Sequence, residues 1–195
     1  MITSPSDTAV KARPRRRFRK RWLLYGAAIL LAVLLALRLF LMWSFDKPLP
    51  PDLAAVGELP VILPDGRTAF LRDSMRPGVP TVISLWASWC GPCFSEAPKI
   101  AALRREFPPE DLNIVYLNVR DPYATPQALA NYMDRFSMPL EYVVLGDAER
   151  LSDLTNDSEN LIPRTLVFDR EGQPVATIVG YKPLALSRVA GLVAD

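Results

Sequence analysis

Two cysteines, Cys90 and Cys93, stand in the segment Trp89-Cys90-Gly91-Pro92-Cys93, and they are the only cysteines among 195 residues. The chain has no histidine. That excludes Cys–His and Ser–His–Asp catalysis, histidine-ligated zinc and axial-histidine haem. Two cysteines alone cannot complete a structural zinc site within one chain. The chemistry left is that of thiols, carboxylates and the backbone. A Cys-x-x-Cys pair suits thiol–disulfide exchange, in which a thiolate attacks a disulfide sulfur and a second thiol resolves the mixed disulfide. The alternatives are a structural disulfide and half of a zinc site shared between chains. A bridge closing so short a loop removes little unfolded-chain entropy and stabilises weakly.

Exchange chemistry needs the pair at a helix N-terminus, where the dipole and free backbone N–H groups lower a thiol pKa. The sequence offers that setting. Thr81–Trp86 is a near-continuous apolar run suited to a central strand, and residues 93–107 read as a helix. Cys90, N-terminal and expected to be the more exposed, is the candidate nucleophile, and Cys93 is placed to resolve. Gly91 leaves room for a partner backbone, and Pro92 occupies an early helical position where its missing N–H costs nothing. Glu96 follows Cys93 by three residues, on the same helix face. A partly buried carboxylate there can take the proton of Cys93. The bland alternative is an acid placed early in a helix to suit the dipole. Trp89 is expected to shield Cys90 and line a docking surface, Trp86 to lie in the core, and Pro98 to kink the helix.

Strand and helix patterns alternate around this motif. A short hairpin is expected from Val61-Ile62-Leu63 and Thr68-Ala69-Phe70-Leu71 across Pro64-Asp65-Gly66. Beyond the motif come a strand at 112–119, a helix at 125–136, a strand at 141–145 and a short helix at 148–154. A terminal hairpin of 164–168 with 175–179 and a closing helix at 184–193 follow. The order predicts an α/β fold with a mixed central sheet flanked by helices.

Charge is segregated. Residues 1–21 carry eight Lys or Arg against Asp7 alone, while residues from Ser44 onward hold 14 basic and 20 acidic side chains. The basic tail precedes an apolar run, so it reads as a topology signal and gives no support for nucleic-acid binding. As a helix, residues 22–43 would reach roughly 33 Å against a hydrocarbon core of about 30 Å. Trp22 and Tyr25 at one end and Trp43 and Phe45 at the other suit interfacial positions, and Arg38 can snorkel. A cleaved signal peptide would need a shorter core and an Ala-x-Ala-like site, and Leu-Phe-Leu-Met-Trp stands there instead. The expected organisation is a cytoplasmic basic tail (1–21), a transmembrane signal anchor (22–43), a proline-rich linker (44–56) and a catalytic domain (57–195) beyond the membrane.

The motif residues carry a resemblance. Trp-Cys-Gly-Pro-Cys behind a hydrophobic strand resembles thioredoxin, and the surroundings resemble its membrane-anchored TlpA/ResA-like relatives over about residues 57–193. The N-terminal hairpin, the segment Cys93-Phe94-Ser95-Glu96-Ala97-Pro98, the extra helix and strand at about 125–145, and Ile162-Pro163-Arg164-Thr165-Leu166-Val167-Phe168-Asp169 carry it. The resemblance implies a thioredoxin-like fold preceded by a single N-terminal transmembrane helix. It makes Pro163 a cis-proline whose loop faces the cysteines, with Ile162 offering backbone to an extended substrate. It also favours proton transfer by Glu96, because thioredoxin's buried acid corresponds to Ser84, which cannot act as that base. The stretch 155–161 departs from the family in lacking its Gly-x-x-Gly rhythm.

By resemblance the activity is disulfide reduction in an oxidising compartment, on protein substrates such as apocytochrome c cysteines. Recharging would come from an electron-donor protein in the bacterial inner membrane, with no cofactor and no metal. Gly-Pro between the cysteines and Ile before Pro163 resemble the reducing members. The competing readings are a disulfide oxidase or isomerase, and a thioredoxin-fold binding module without turnover.

Overall fold

The computed structural model describes residues 16–43, 49–135, 142–145, 150–156 and 161–194. The tail before residue 16, the start of the linker at 44–48 and residues 157–160 lie outside the described residues. The chain divides into two compact units, Met1–Leu41 and Met42–Asp195.

In the first unit, α1 (Arg16–Trp43) is a helix of 28 residues. Side chains are described continuously only over 24–39. Among the described residues no helix is long and apolar enough to cross a membrane, so the span expected over 22–43 rests on the sequence.

Among the described residues the second unit has seven strands: β1 (Pro60–Ile62), β2 (Thr68–Phe70), β3 (Thr81–Trp86), β4 (Asn113–Asn118), β5 (Tyr142–Leu145), β6 (Arg164–Phe168) and β7 (Pro174–Val179). They form one sheet in the order β2-β1-β5-β4-β3-β6-β7. The inner pairs β3–β4 and β4–β5 are parallel, and every other pairing is antiparallel. This is the mixed sheet the strand–helix alternation predicts. Every residue of β3, β4 and β6 is buried, the mark of central strands covered on both faces.

Alternation along those strands splits the core into two layers. Val82 and Trp86 of β3, Ile114 and Tyr116 of β4, and Val167 of β6 join one cluster with α3 (Gly91–Glu106), α4 (Pro126–Arg135), α6 (Pro183–Leu186) and α7 (Val189–Val193). Ile83, Leu85, Val115, Leu117, Leu166 and Phe168 join the other with α2 (Leu53–Gly57) and α5 (Leu151–Thr155). The active-site helix α3 therefore lies on the first layer, over the central strands.

Two elements differ from the sequence expectation. Residues 53–56, placed in the proline-rich linker by composition, belong to α2 (Leu53–Gly57). Asp52 caps it by accepting from the Ala55 N–H at 2.8 Å, Val56 is buried, and Leu53 N–H donates to Gly172 O at 2.8 Å. The closing helix expected at 184–193 is broken into α6 and α7. There the Ser187 hydroxyl donates to the Leu184 carbonyl at 3.0 Å, the local competition with helical bonding that Ser favours. The expected N-terminal hairpin is present, and β1 pairs with β5 as well as β2.

Candidate active site

Helix α3 begins at Gly91, with Cys90 as its N-cap and Pro92 in the first turn. Pro supplies no N–H that the helix would need there, so Trp89-Cys90-Gly91-Pro92-Cys93 initiates the helix as well as carrying the sulfurs. Cys90 and Cys93 are joined in a disulfide. Both are buried, at 2% and 3% exposure. The expectation that Cys90 is the more exposed of the two is thus not met in the disulfide form, because both cysteines pack in the cluster that holds Trp86, Ala87 and Tyr132. A Cβ added to Gly91 would meet nothing within 4 Å.

The segment before Cys90 is held by the loop after β4. Asp121 accepts from Ser88 N–H at 2.6 Å, from the Ser88 hydroxyl at 3.0 Å, from Asn118 Nδ2 at 3.1 Å and from Tyr123 N–H at 3.1 Å. Partial burial alone would raise this carboxyl, but the hydrogen bonds outweigh it and hold Asp121 below the usual range. Trp89, 53% exposed, donates its indole N–H to the Arg120 carbonyl at 2.9 Å. Arg120 adopts φ +49°, the left-handed region. Sequence reasoning missed Asp121. The only signal was an Asp-Pro step ending a strand, which marks a turn but not its hydrogen bonds.

The Ile162–Pro163 peptide bond is cis, the isomer the resemblance implied. Ile162 packs against the cluster containing both cysteines. Gly180 N–H donates to the Pro163 carbonyl at 2.8 Å. Arg164, directly after the cis bond, is fully buried and donates from Nε to the Leu161 carbonyl at 3.3 Å.

Glu96 is 2% exposed. It lies on α3 one turn beyond Cys93, and its Oε1 accepts a hydrogen bond from the Thr165 hydroxyl of β6. Burial pushes the carboxyl up to about 7, and the Thr165 bond opposes that rise. A buried carboxyl raised to near neutrality, one helical turn from Cys93, is suited to proton transfer. The aromatic rings of Trp86 and Tyr132 (centroids 4.3 Å apart) and of Phe94 and Tyr132 (5.0 Å) pack in and against the cluster that holds both cysteines. Burial, helped by the Asp121 charge, pushes the Tyr132 hydroxyl up to about 12, so it stays protonated. Thr165 was not singled out from the sequence, although its place two residues after Pro163 could have suggested it.

A disulfide at a helix N-terminus, a cis-proline loop packed on the same cluster and a neighbouring buried acid define a thiol–disulfide oxidoreductase of the thioredoxin fold. The Redoxin family model matches residues 49–193, and the chain belongs to that family. It is similar to the thiol-disulfide oxidoreductase ResA of Halalkalibacterium halodurans, with 24% identity over 85% of this chain and 88% of the relative. The thiol:disulfide interchange protein HelX of Rhodobacter capsulatus is 28% identical over 72% of this chain and 77% of its own. Among solved structures, a thioredoxin-family thiol:disulfide interchange protein from Chlorobium tepidum superposes with a TM-score of 0.57. It is 19% identical and covers 77% of this chain and 99% of that one; at that identity the likeness speaks for the fold alone.

Proposed function

We propose that this oxidoreductase is anchored in the bacterial inner membrane by residues 22–43 and reduces disulfides of extracytoplasmic proteins, apocytochrome c among them. The observation that carries the catalytic reading is the Cys90–Cys93 pair at the start of α3 with Glu96 buried one turn on. In the reduced enzyme the Cys90 thiolate attacks a substrate disulfide. A Cys90–substrate S–S bond forms, and one substrate sulfur leaves as a thiolate. Cys93 then gives its proton to Glu96, and the resulting thiolate attacks Cys90. The intramolecular disulfide forms, the mixed disulfide breaks, and the second substrate sulfur leaves with the electron pair. The substrate gains two electrons and the enzyme returns to its disulfide form. A membrane electron-donor protein reverses that last change.

The anchor is supported by the apolar run itself and by exposure within α1, where Leu24, Ile29, Leu31 and Leu35 are all more than half exposed. The basic tail before it supports a cytoplasmic N-terminus. Trp89, Gly91, Pro92, Ile162 and Pro163 are assigned to shaping and presenting the reactive pair. The test uses two variants. Cys90→Ser is expected to abolish turnover, and Cys93→Ser to accumulate mixed disulfides that mass spectrometry identifies. Full activity of the Cys90 variant would end this reading.

A further inference from the structure

A polar row crosses the core beneath α3. Thr165 of β6 stands opposite Ser84 of β3, and Ser84 stands opposite Tyr116 of β4. All three belong to the sheet face that α3 covers, and all are buried, with Tyr116 at 1% exposure. Neighbouring strands lie about 4.8 Å apart, so the row spans about 10 Å from Thr165 to Tyr116. Glu96 descends on its β6 end, where Thr165 engages Oε1.

Two buried polar atoms over this row have no hydrogen-bond partner among the described residues: Glu96 Oε2 and Tyr116 Oη. Leaving either unmade would cost about 1–3 kcal/mol, and native interiors rarely tolerate it. Two other such atoms on this face, Trp86 Nε1 and Asn118 Oδ1, belong to the next row, where Trp86 and Asn118 stand opposite each other. Burial raises the Tyr116 hydroxyl, Arg104 opposes this, and the nearby Glu96 carboxylate adds to the rise. Tyr116 therefore remains a donor at every working pH, and Glu96 is the group that changes charge.

We propose that Tyr116 is a positioning residue for Glu96, its hydroxyl donating to Oε2, directly or through one bridging water, when the carboxylate is charged. The inference rests on Glu96 being the proton acceptor for Cys93. Thr165 and Tyr116 then hold the two carboxylate oxygens from opposite ends of the row. With serine at position 84, the strand below has no ionisable group to compete for the proton. The titratable and charged groups on the elements packed around the pair are Cys90 at the N-cap of α3, Cys93 and Arg104 on α3, Tyr132 on α4, Asp121 after β4, and Lys182 and Arg188 flanking α6, the cysteines titrating only once reduced. In the disulfide form the displacement of Glu96 comes from burial and is opposed by Thr165.

The test is a double-mutant cycle on the full-length chain in detergent. It is read by the pH dependence of insulin-disulfide reduction and by the 13C titration of the Glu96 carboxyl. Tyr116→Phe removes one hydroxyl and keeps the ring. It should raise the Glu96 midpoint by about one unit and slow the reaction about tenfold below that midpoint, as expected for one lost hydrogen bond to a charged group. In a Glu96→Gln background, Tyr116→Phe should leave the pH–rate profile unmoved. A Glu96 midpoint unmoved by Tyr116→Phe would overturn the inference, as would an equal shift of the profile in the Glu96→Gln background. Should Glu96→Gln itself leave the wild-type pH profile intact, the fault lies with the proton-acceptor assignment. Unfolding midpoints of the variants show whether the fold is kept, and the carboxyl titration is read in the folded protein only.

Discussion

The Thr165 hydroxyl on β6 donates to the Glu96 carboxylate on α3, joining residues 69 apart in sequence. Thr165 lies two residues past the cis bond at Ile162–Pro163, and Glu96 lies one turn past Cys93. The cis-proline loop and the proposed proton acceptor are thus tied by one buried contact. A change on either side reaches the other through it.

Glu96 makes stability depend on pH in a direction opposite to a salt-bridged acid. Its carboxyl is raised from 4.5 to about 7 in the folded chain. Below about 4.5 it is neutral in both states and costs nothing. As pH rises from there to 7 the unfolded chain loses its proton first, so stability falls, by about 3 kcal/mol in all, and then levels off. Glu96→Gln should flatten this slope and be more stable than wild type at pH 8. Urea unfolding at pH 4.5 and pH 8, followed by tryptophan fluorescence, checks it.

Activity should run the other way. Proton acceptance requires the carboxylate, so the resolving step should quicken as pH rises through about 7. Glu96→Gln should lose that limb and slow turnover by about a hundredfold. Thr165→Val should raise the midpoint and Thr165→Ser should restore it, because the hydroxyl bond opposes the rise. A pH–rate series on the four proteins distinguishes these outcomes.

Asp121→Ala should loosen the segment before Cys90. Four hydrogen bonds end on that carboxylate, and its loss leaves the Ser88 N–H unpaired, at a cost of about 1–3 kcal/mol. Hydrogen exchange at Ser88 and the unfolding midpoint report it. Unchanged exchange there would contradict the assignment of Asp121 as the clamp.

Gly91→Ala separates folding from docking. A Cβ there meets nothing within 4 Å among the described residues beyond its own helix turn, so stability should change by less than about 0.5 kcal/mol. If a partner's backbone passes over Gly91, reduction of a protein disulfide should slow about tenfold or more while a small aromatic disulfide reacts as before. Equal rates on both substrates would remove Gly91 from the docking surface.

Much of this site was legible because its signals are local. The apolar run Thr81–Trp86 coincides with β3, the Cys-Gly-Pro-Cys step starts α3, and Glu96 is spaced one turn from Cys93. What escaped depends on tertiary contact. Leu53–Gly57 looks like linker until the Leu53 bond to Gly172 and the burial of Val56 are seen. Leu184–Val193 carries helical periodicity throughout, yet Ser187 diverts a backbone carbonyl and the helix breaks. Asp121 and Tyr116 become site residues only through strand register and loop closure. The burial of Cys90 follows from its cluster, which position along the helix does not show.

The reduction potential of the Cys90–Cys93 pair tests the central claim most directly. The full-length chain would be equilibrated with defined glutathione or dithiothreitol buffers and its thiols counted by alkylation. A reductase should give a value near or below about −250 mV, close to thioredoxin at about −270 mV. A value between about −180 and −120 mV would place the pair with isomerases and oxidases and would contradict reduction as its main role.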